Sequence, residues 1–478
     1  MRTSIVLLFF ISISAISARE ITFSEHEISE EGLGNPGIYS SDLDNDGDID
    51  IIASQSDPPA VKWWRNDGGM PIVWTEFTIA ELPGFYIHAR DMNNDGKEDV
   101  LATMTTGEII CWLNYGIDQP VWNMITVATG FSSPHGIYTT DLDNDGDMDV
   151  LATSAGLGKI CWWEQETGSW TEHLIGDNFA YTQSVHAADI DNDGDQDVAG
   201  VSGGSNSIKV WYNNGAYPIT WTEQIITDNF EMAHWIYLCD LDNDNLTDIL
   251  AAAAGDNEIS WWQNNGGSPV GWTKLVIDNG VYCAVTVTAA DLDNDNDEDV
   301  IATAWWSDDI FWWENDGQET IGWTRHTIDS FNNGVWPIAT GDLDNDNDLD
   351  IITGADVLTS GGSSAALTWW ENSLSVSVED ELINNSSQGS LHFYPNPFEY
   401  ETRIIFSNSD HKISKLDIYN IRGQKVKTII NKCSGDGKYP AIWAGTDNSG
   451  NMLDSGLYLS ILRCEGEIIS AGKCLIIR

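Results

Sequence analysis

Seven stretches of the 478-residue sequence carry carboxylates at one spacing, Asp-x-Asp/Asn-x-Asp-Gly/Asn-x-x-Asp. They begin at Asp42, Asp91, Asp141, Asp189, Asp240, Asp291 and Asp342, in steps of 49, 50, 48, 51, 51 and 51 residues. Positions 1, 3, 5 and 9 put side-chain oxygens at Asp42, Asp44, Asp46 and Asp50, then at Asp91, Asn93, Asp95 and Asp99. The third and fourth loops supply Asp141, Asp143, Asp145 and Asp149, and Asp189, Asp191, Asp193 and Asp197. The fifth and sixth supply Asp240, Asp242, Asp244 and Asp248, and Asp291, Asp293, Asp295 and Asp299. The seventh supplies Asp342, Asp344, Asp346 and Asp350. Like charges this dense repel strongly unless a cation lies among them. Many hard oxygen donors in a flexible loop select calcium over zinc, copper or magnesium. Position 7 runs from Asp147 to Lys97 to Leu246, so only its backbone carbonyl can be a shared ligand. Position 6 is Gly or Asn, the types that accept the left-handed backbone of a tight turn. Position 2 is apolar, as at Leu43, Met92 and Ile190, and is expected to point inward. The expectation is about seven Ca²⁺ per chain, one per loop.

Something must hold these loops in register. Each repeat carries the same string of strands. In the third, His135–Leu142 leads into the acidic loop, and Asp149–Ser154, Lys159–Glu164 and Trp170–Ile175 follow it. Short strands rich in aromatic and β-branched residues, split by Gly, Asn and Asp, are the all-β signal. Four strands per unit of about 50 residues predict a propeller blade, with a β-solenoid as the alternative. Six repeats have a fourth strand that starts at Trp74, Trp122, Trp170, Trp221, Trp272 or Trp323. The seventh stops at Trp369-Trp370-Glu371-Asn372. Its missing strand matches Phe23–Ile28, which aligns with Trp170–Ile175 and is expected to close the ring.

Net charge is −54, which speaks against a nucleic-acid partner. The acid is concentrated: residues 1–373 hold 10 basic and 63 acidic side chains, whereas residues 391–478 hold 11 and 9. That shift divides the chain into a signal peptide at 1–18, a propeller at 19–373, a linker at 374–390 and a C-terminal domain at 391–478. The signal peptide is read from Arg2, the apolar run Ile5–Ile16 and the small residues Ser17 and Ala18. No other long apolar run suggests a transmembrane span in the mature chain. Of the seven cysteines, Cys111 and Cys161 occupy equivalent strand positions. Cys433, Cys464 and Cys474 leave room for one disulfide in the last domain.

Loops opposite the acidic ones are expected to form a ligand face. Six residues before the first loop Asp stand Phe85, His135, Gln183, His234, Val285 and Trp336, expected to ring the central channel. Around them fall Tyr86, His88, Tyr181, His186, Trp235, Tyr282, Trp305 and Trp306. Rings with His and amide partners suit the flat faces and hydroxyls of sugars, or a protein surface; alternatively they plug the channel. No Gly-x-Ser-x-Gly elbow, zincin His pair or phosphate loop is present.

The motif Asp141-Leu142-Asp143-Asn144-Asp145-Gly146-Asp147-Met148-Asp149, in a unit with Trp162-Trp163-Glu164, resembles the FG-GAP/VCBS repeat. That family is similar to the propeller of integrin α subunits. The resemblance spans about residues 21–373 and implies a seven-bladed ring with a calcium loop between the first and second strands of each blade. Here all seven loops carry the motif rather than a subset, so an integrin-like role is not implied. The segments Tyr394–Phe398, Leu416–Gln424, Trp443–Asp447 and Ser455–Tyr458 resemble the C-terminal sorting domain of the type IX secretion system. They are also similar to the Ig-like domain of the flagellar hook-capping family. This implies contact with the secretion machinery, bacterial export, and release or surface attachment. The expectation is a secreted or surface-held calcium-binding propeller that binds a carbohydrate or protein, as in adhesion. A polysaccharide-degrading enzyme of lyase type on the same scaffold is the alternative, and a purely structural surface protein a third.

Overall fold

The computed structural model describes residues 20–29, 33, 37–69, 71–116, 120–166, 168–318, 320–330, 335–355, 367–375, 389–394, 402–408, 414–420, 425–431, 438–448, 451–453, 455–464 and 467–476. The signal peptide at 1–18 and most of the linker at 374–390 lie outside the described residues. The chain separates into two compact units, and the larger runs from Arg19 to Ser375.

In the larger unit every repeat becomes one antiparallel four-stranded sheet. The third comprises Pro134–Thr140, Asp149–Ser154, Lys159–Glu166 and Ser169–Gly176. Burial explains the sequence pattern along it. Asp149–Ser154 is buried at every residue, as a strand covered on both faces must be. Its outer strand mixes half-buried and exposed residues up to Leu174 before its last two residues are buried, as a strand packed mainly on one face does. The apolar cores lie between neighbouring blades: Leu43, Ile52 and Trp63 of the first pack with Ile87, Val100 and Trp112 of the second.

Seven such sheets form a closed ring among the described residues. Each innermost strand abuts the next, and Val335–Gly341 of the seventh blade meets Ile38–Ser41 of the first. The last blade takes its outer strand from the other end of the chain. Glu20–Ser29 pairs antiparallel with Leu367–Ser375, with Phe23 opposite Asn372 and His26 opposite Trp369. His26 also stacks on Trp369 at 4.5 Å and contacts Glu371 at 2.7 Å. His173 on Trp162 and Glu164 repeats the arrangement in the third blade. The fold is therefore an all-β, seven-bladed propeller, and the solenoid alternative is set aside.

In the second unit, seven described strands form a three-stranded and a four-stranded sheet. One core draws on both, joining Ile404 and Trp443 to Leu416, Leu462 and Ile476. Cys474 is a free thiol, as are Cys111, Cys161, Cys239 and Cys283. No helix among the described residues is long and apolar enough to cross a membrane.

Candidate functional site

Every acidic loop joins the innermost strand of a blade to its second strand. The third loop shows how it is held. Asp141 at position 1 accepts the N–H groups of Asp145 at 3.1 Å and Gly146 at 3.0 Å. Asp145 at position 5 accepts the N–H of Asp147 at 2.9 Å. Asp149 at position 9 is buried and accepts N–H groups from Leu142 at 3.0 Å and Gln165 at 2.9 Å. Burial pushes its carboxyl up to about 7 despite those two donors, and the charge of Asp143 adds to the push. The equivalent Asp248, Asp299 and Asp350 are pushed up to about 8, burial again the largest cause. The backbone turns as the residue types require: position 6 has positive φ in all seven loops, from Asn245 at 66° to Gly194 at 99°.

The carboxylates converge. Oxygens of positions 1, 3 and 9 lie within 4.8 Å of one another in the sets Asp42/Asp44/Asp50, Asp141/Asp143/Asp149, Asp189/Asp191/Asp197 and Asp240/Asp242/Asp248. In the sixth loop the set is Asp291/Asp293/Asp295, so position 5 takes part there. Position 3 carries the clearest sign of a missing partner. Asp44 Oδ1, Asp242 Oδ1, Asp344 Oδ1 and both amide atoms of Asn93 are buried without a hydrogen bond. A buried polar atom left so is costly, and a cation at the centre of the set would satisfy the oxygens. The donor set is all oxygen, which fits a hard divalent ion and not a thiolate- or imidazole-seeking one.

Sequence reasoning passed over two asparagines. Position 4 is Asn in every loop and also left-handed, with φ between 57° and 60° at all seven. Its amide reaches the following blade: Asn45 donates to the Gly96 carbonyl at 2.8 Å, and Asn345 closes the circle on Asp48 at 2.6 Å. A second series runs the other way from the end of the third strand. Asn264 donates to the Ile190 carbonyl of the preceding blade at 2.8 Å and to Thr247 at 3.0 Å. Asn66 donates to Leu343 at 2.8 Å and so joins the first blade to the last. The recurrence of Asn at fixed places in the repeat is the signal that could have revealed both.

The aromatic candidates fall into distinct places. A cavity of about 560 Å³ occupies the channel, lined along the inner strands chiefly by residues three, four and five before the loop Asp. Of the six residues expected to ring the channel, Trp336 lines it; the tier at that level comes instead from neighbours such as Tyr86 and Trp235. The reason is a register shift in the inner strands at this level, as between Gly84 and Ile87, which re-aims the side chains relative to spacing counted back from the loop. Gln183, His234 and Val285 are buried. His135 Nδ1 lies 2.8 Å from Gln183 Oε1, and the His234 imidazole contacts the Val285 carbonyl. Phe85 and Tyr181 flank His135 at 4.9 and 5.9 Å. Tyr282 and Trp306 form an exposed pair at 5.4 Å, and Trp305 links to Trp336 at the same distance. His88 and His186 lie in the channel wall.

No curated protein matches the chain. Among solved structures it is similar to BBS1N, solved in complex with ARL6DN, at 11% identity and a TM-score of 0.48 over 73% of this chain and 95% of that one. It is similar to PorZ, a bacterial surface component of the type IX secretion system of Porphyromonas gingivalis, at 13% and 0.43 over 92% and 59%. AofleA from Arthrobotrys oligospora gives 14% and 0.41 over 64% and 90%. The family assignment rests on the repeat itself: the FG-GAP-like repeat model matches residues 42–102, 91–152, 141–200, 189–251, 240–302 and 291–353. Those matches take in all seven acidic loops and more than half of the 478 residues, and the chain belongs to the FG-GAP-like repeat family.

Proposed function

We propose that the protein is an exported, calcium-loaded propeller that binds a glycan outside a bacterial cell. The observation that carries the reading is the exposed pair Tyr282 and Trp306, 52% and 63% accessible, on loops at the end of the blade away from its acidic loop. Large exposed aromatic side chains this close together mark interaction sites, and their faces suit the C–H faces of a sugar ring. Trp305 and Trp336 extend the aromatic surface inward from that pair. Calcium would be held by positions 1, 3, 5 and 9 and by the carbonyl of position 7, and would hold the loops without contacting the glycan. Export is supported by the charged and apolar N-terminus and by the likeness of residues 391–478 to a sorting domain.

The test is a glycan panel applied to the full chain in calcium buffer, monitored for binding and for new reducing or unsaturated ends. A glycan should bind, and Trp306→Ala with Tyr282→Ala should weaken it by about tenfold or more while leaving the melting temperature unchanged. New sugar ends would convert the reading to a degrading enzyme. No binding, or binding indifferent to both substitutions, would sink it and leave a protein ligand as the next candidate.

A further inference from the structure

The channel wall carries a pattern that the ring does not need for packing. Three residues before each loop Asp, the innermost strands present Tyr39, His88, Tyr138, His186 and Tyr237 in five consecutive blades. Neighbouring rings stand 4.7, 5.3, 4.3 and 5.1 Å apart, so they form a continuous arc. Thr288 and Ala339 complete the tier. An aliphatic set would fill the same space without polar atoms to satisfy. Instead, His186 Nδ1 is buried with no hydrogen-bond partner, and the cavity of about 560 Å³ lies in front of the arc. That volume is within the range of about 300–1,000 Å³ typical of small-molecule sites.

The two ends of the channel differ. At the end away from the acidic loops, Tyr86 of the second blade meets Trp235 of the fifth at 5.5 Å, and Trp336 lines the same level. These rings close the channel across its axis. At the other end stands Arg90, exposed and immediately before the second acidic loop. Among the described residues it is the only Lys or Arg lining the cavity; its guanidinium acts on the neighbouring Glu98 carboxylate, which does not line the cavity. Burial lowers His88 to about 3 and His186 to about 4, so both imidazoles are neutral; His88 Nδ1 is taken up by Thr139 Oγ1 at 3.3 Å, whereas His186 Nδ1 has no partner. The wall thus presents phenols, neutral imidazoles and threonine hydroxyls, with a single positive charge at the mouth.

We infer that the channel is a second binding site, separate from the exposed aromatic face, which takes one hydroxylated carboxylic acid of sugar size from the acidic-loop side. The hydroxyls would bond to the Tyr–His arc, and the carboxylate would pair with Arg90, whose planar fork matches it. A hexuronate has this chemistry.

The test titrates D-glucuronate, D-glucose and acetate into the full chain in calcium buffer, followed by calorimetry. Glucuronate should saturate one site, with glucose and acetate at least about tenfold weaker. Arg90→Gln should weaken glucuronate by about tenfold and leave glucose unchanged. Ala339→Trp, which fills the cavity from the seventh blade, should abolish binding with the circular dichroism and melting temperature retained. Trp306→Ala should change nothing, which separates this site from the exposed face. The inference is overturned if glucuronate fails to saturate by about 50 mM. It is equally overturned if acetate binds as tightly, or if a folded Ala339→Trp protein still binds.

Discussion

The ninth residue of each loop does two jobs that conflict without metal. Asp50, Asp149 and Asp248 each accept two backbone N–H groups, which suits an anion, but each is buried, which does not. Burial wins: their carboxyls rise from 3.8 to about 7, 7 and 8. In the unfolded chain the same groups lose their protons near 4, so the folded metal-free state binds more protons across the interval. Its stability must therefore fall as pH rises through the folded values. His88 and His186 act in the opposite sense, but only below their ordinary value of 6.5. The window from about pH 6.5 to about pH 8 isolates the aspartates. There the melting temperature of chelated protein should drop with rising pH, while the increment restored by excess Ca²⁺ should grow. Calorimetry at the two limits checks this, and a metal-free melting temperature that is flat or rising contradicts it.

At the scale of elements, the ring is held shut by one strand from far away in the chain. Glu20–Ser29 covers the edge of Leu367–Ser375, whose residues Trp369, Trp370 and Asn372 are buried. An uncovered strand edge is a template for pairing with other chains. Deleting residues 20–29 should therefore give aggregation or a large loss of stability, read by light scattering and thermal melting. A monomeric variant with the parental melting temperature would show that the strand is dispensable. The closing pair was legible because the alignment of Phe23–Ile28 with the other fourth strands preserves its alternation. The face that each inner strand turns to the channel was not. In six blades the pairing of first and second strands shifts register partway, as between Pro134 and Ile137. A bulge of this kind re-aims side chains, and its place cannot be read from spacing counted back from the loop.

Across the whole molecule, the seven loops form one connected ring. Position 4 of each loop reaches the next, and the strand-end amides of Asn66, Asn213 and Asn264 reach back to the preceding blade. Metal bound in one loop would therefore stiffen a contact with its neighbour. An ion that binds only the folded state adds about 2.7 kcal/mol per site at a hundredfold excess over Kd. Several coupled sites should lower the melting temperature of the propeller on chelation by about 10 °C or more, in one transition rather than blade by blade. Metal analysis of the repleted protein should approach one ion per loop. Fewer than about three ions, with an unchanged melt in chelator, would show that the loops hold together on hydrogen bonds alone.

What the sequence determined by itself is what repeats locally: the acidic loops, the four-strand unit, the left-handed sixth position and the inward second position. Each depends on residues within about ten positions of one another, so spacing and side-chain chemistry suffice. Leu43, Met92 and Ile190 are buried as their apolar type requires. The tertiary structure alone decided what non-neighbours do together. Tyr86 and Trp235 meet across the channel from the second and fifth blades, and Asn345 reaches Asp48 across 297 residues. Tyr39, His88, Tyr138, His186 and Tyr237 could be counted in the repeat, yet only ring closure brings them onto one wall. Closure fixes the inward face of every strand at once, and that choice depends on packing between blades rather than on any one of them.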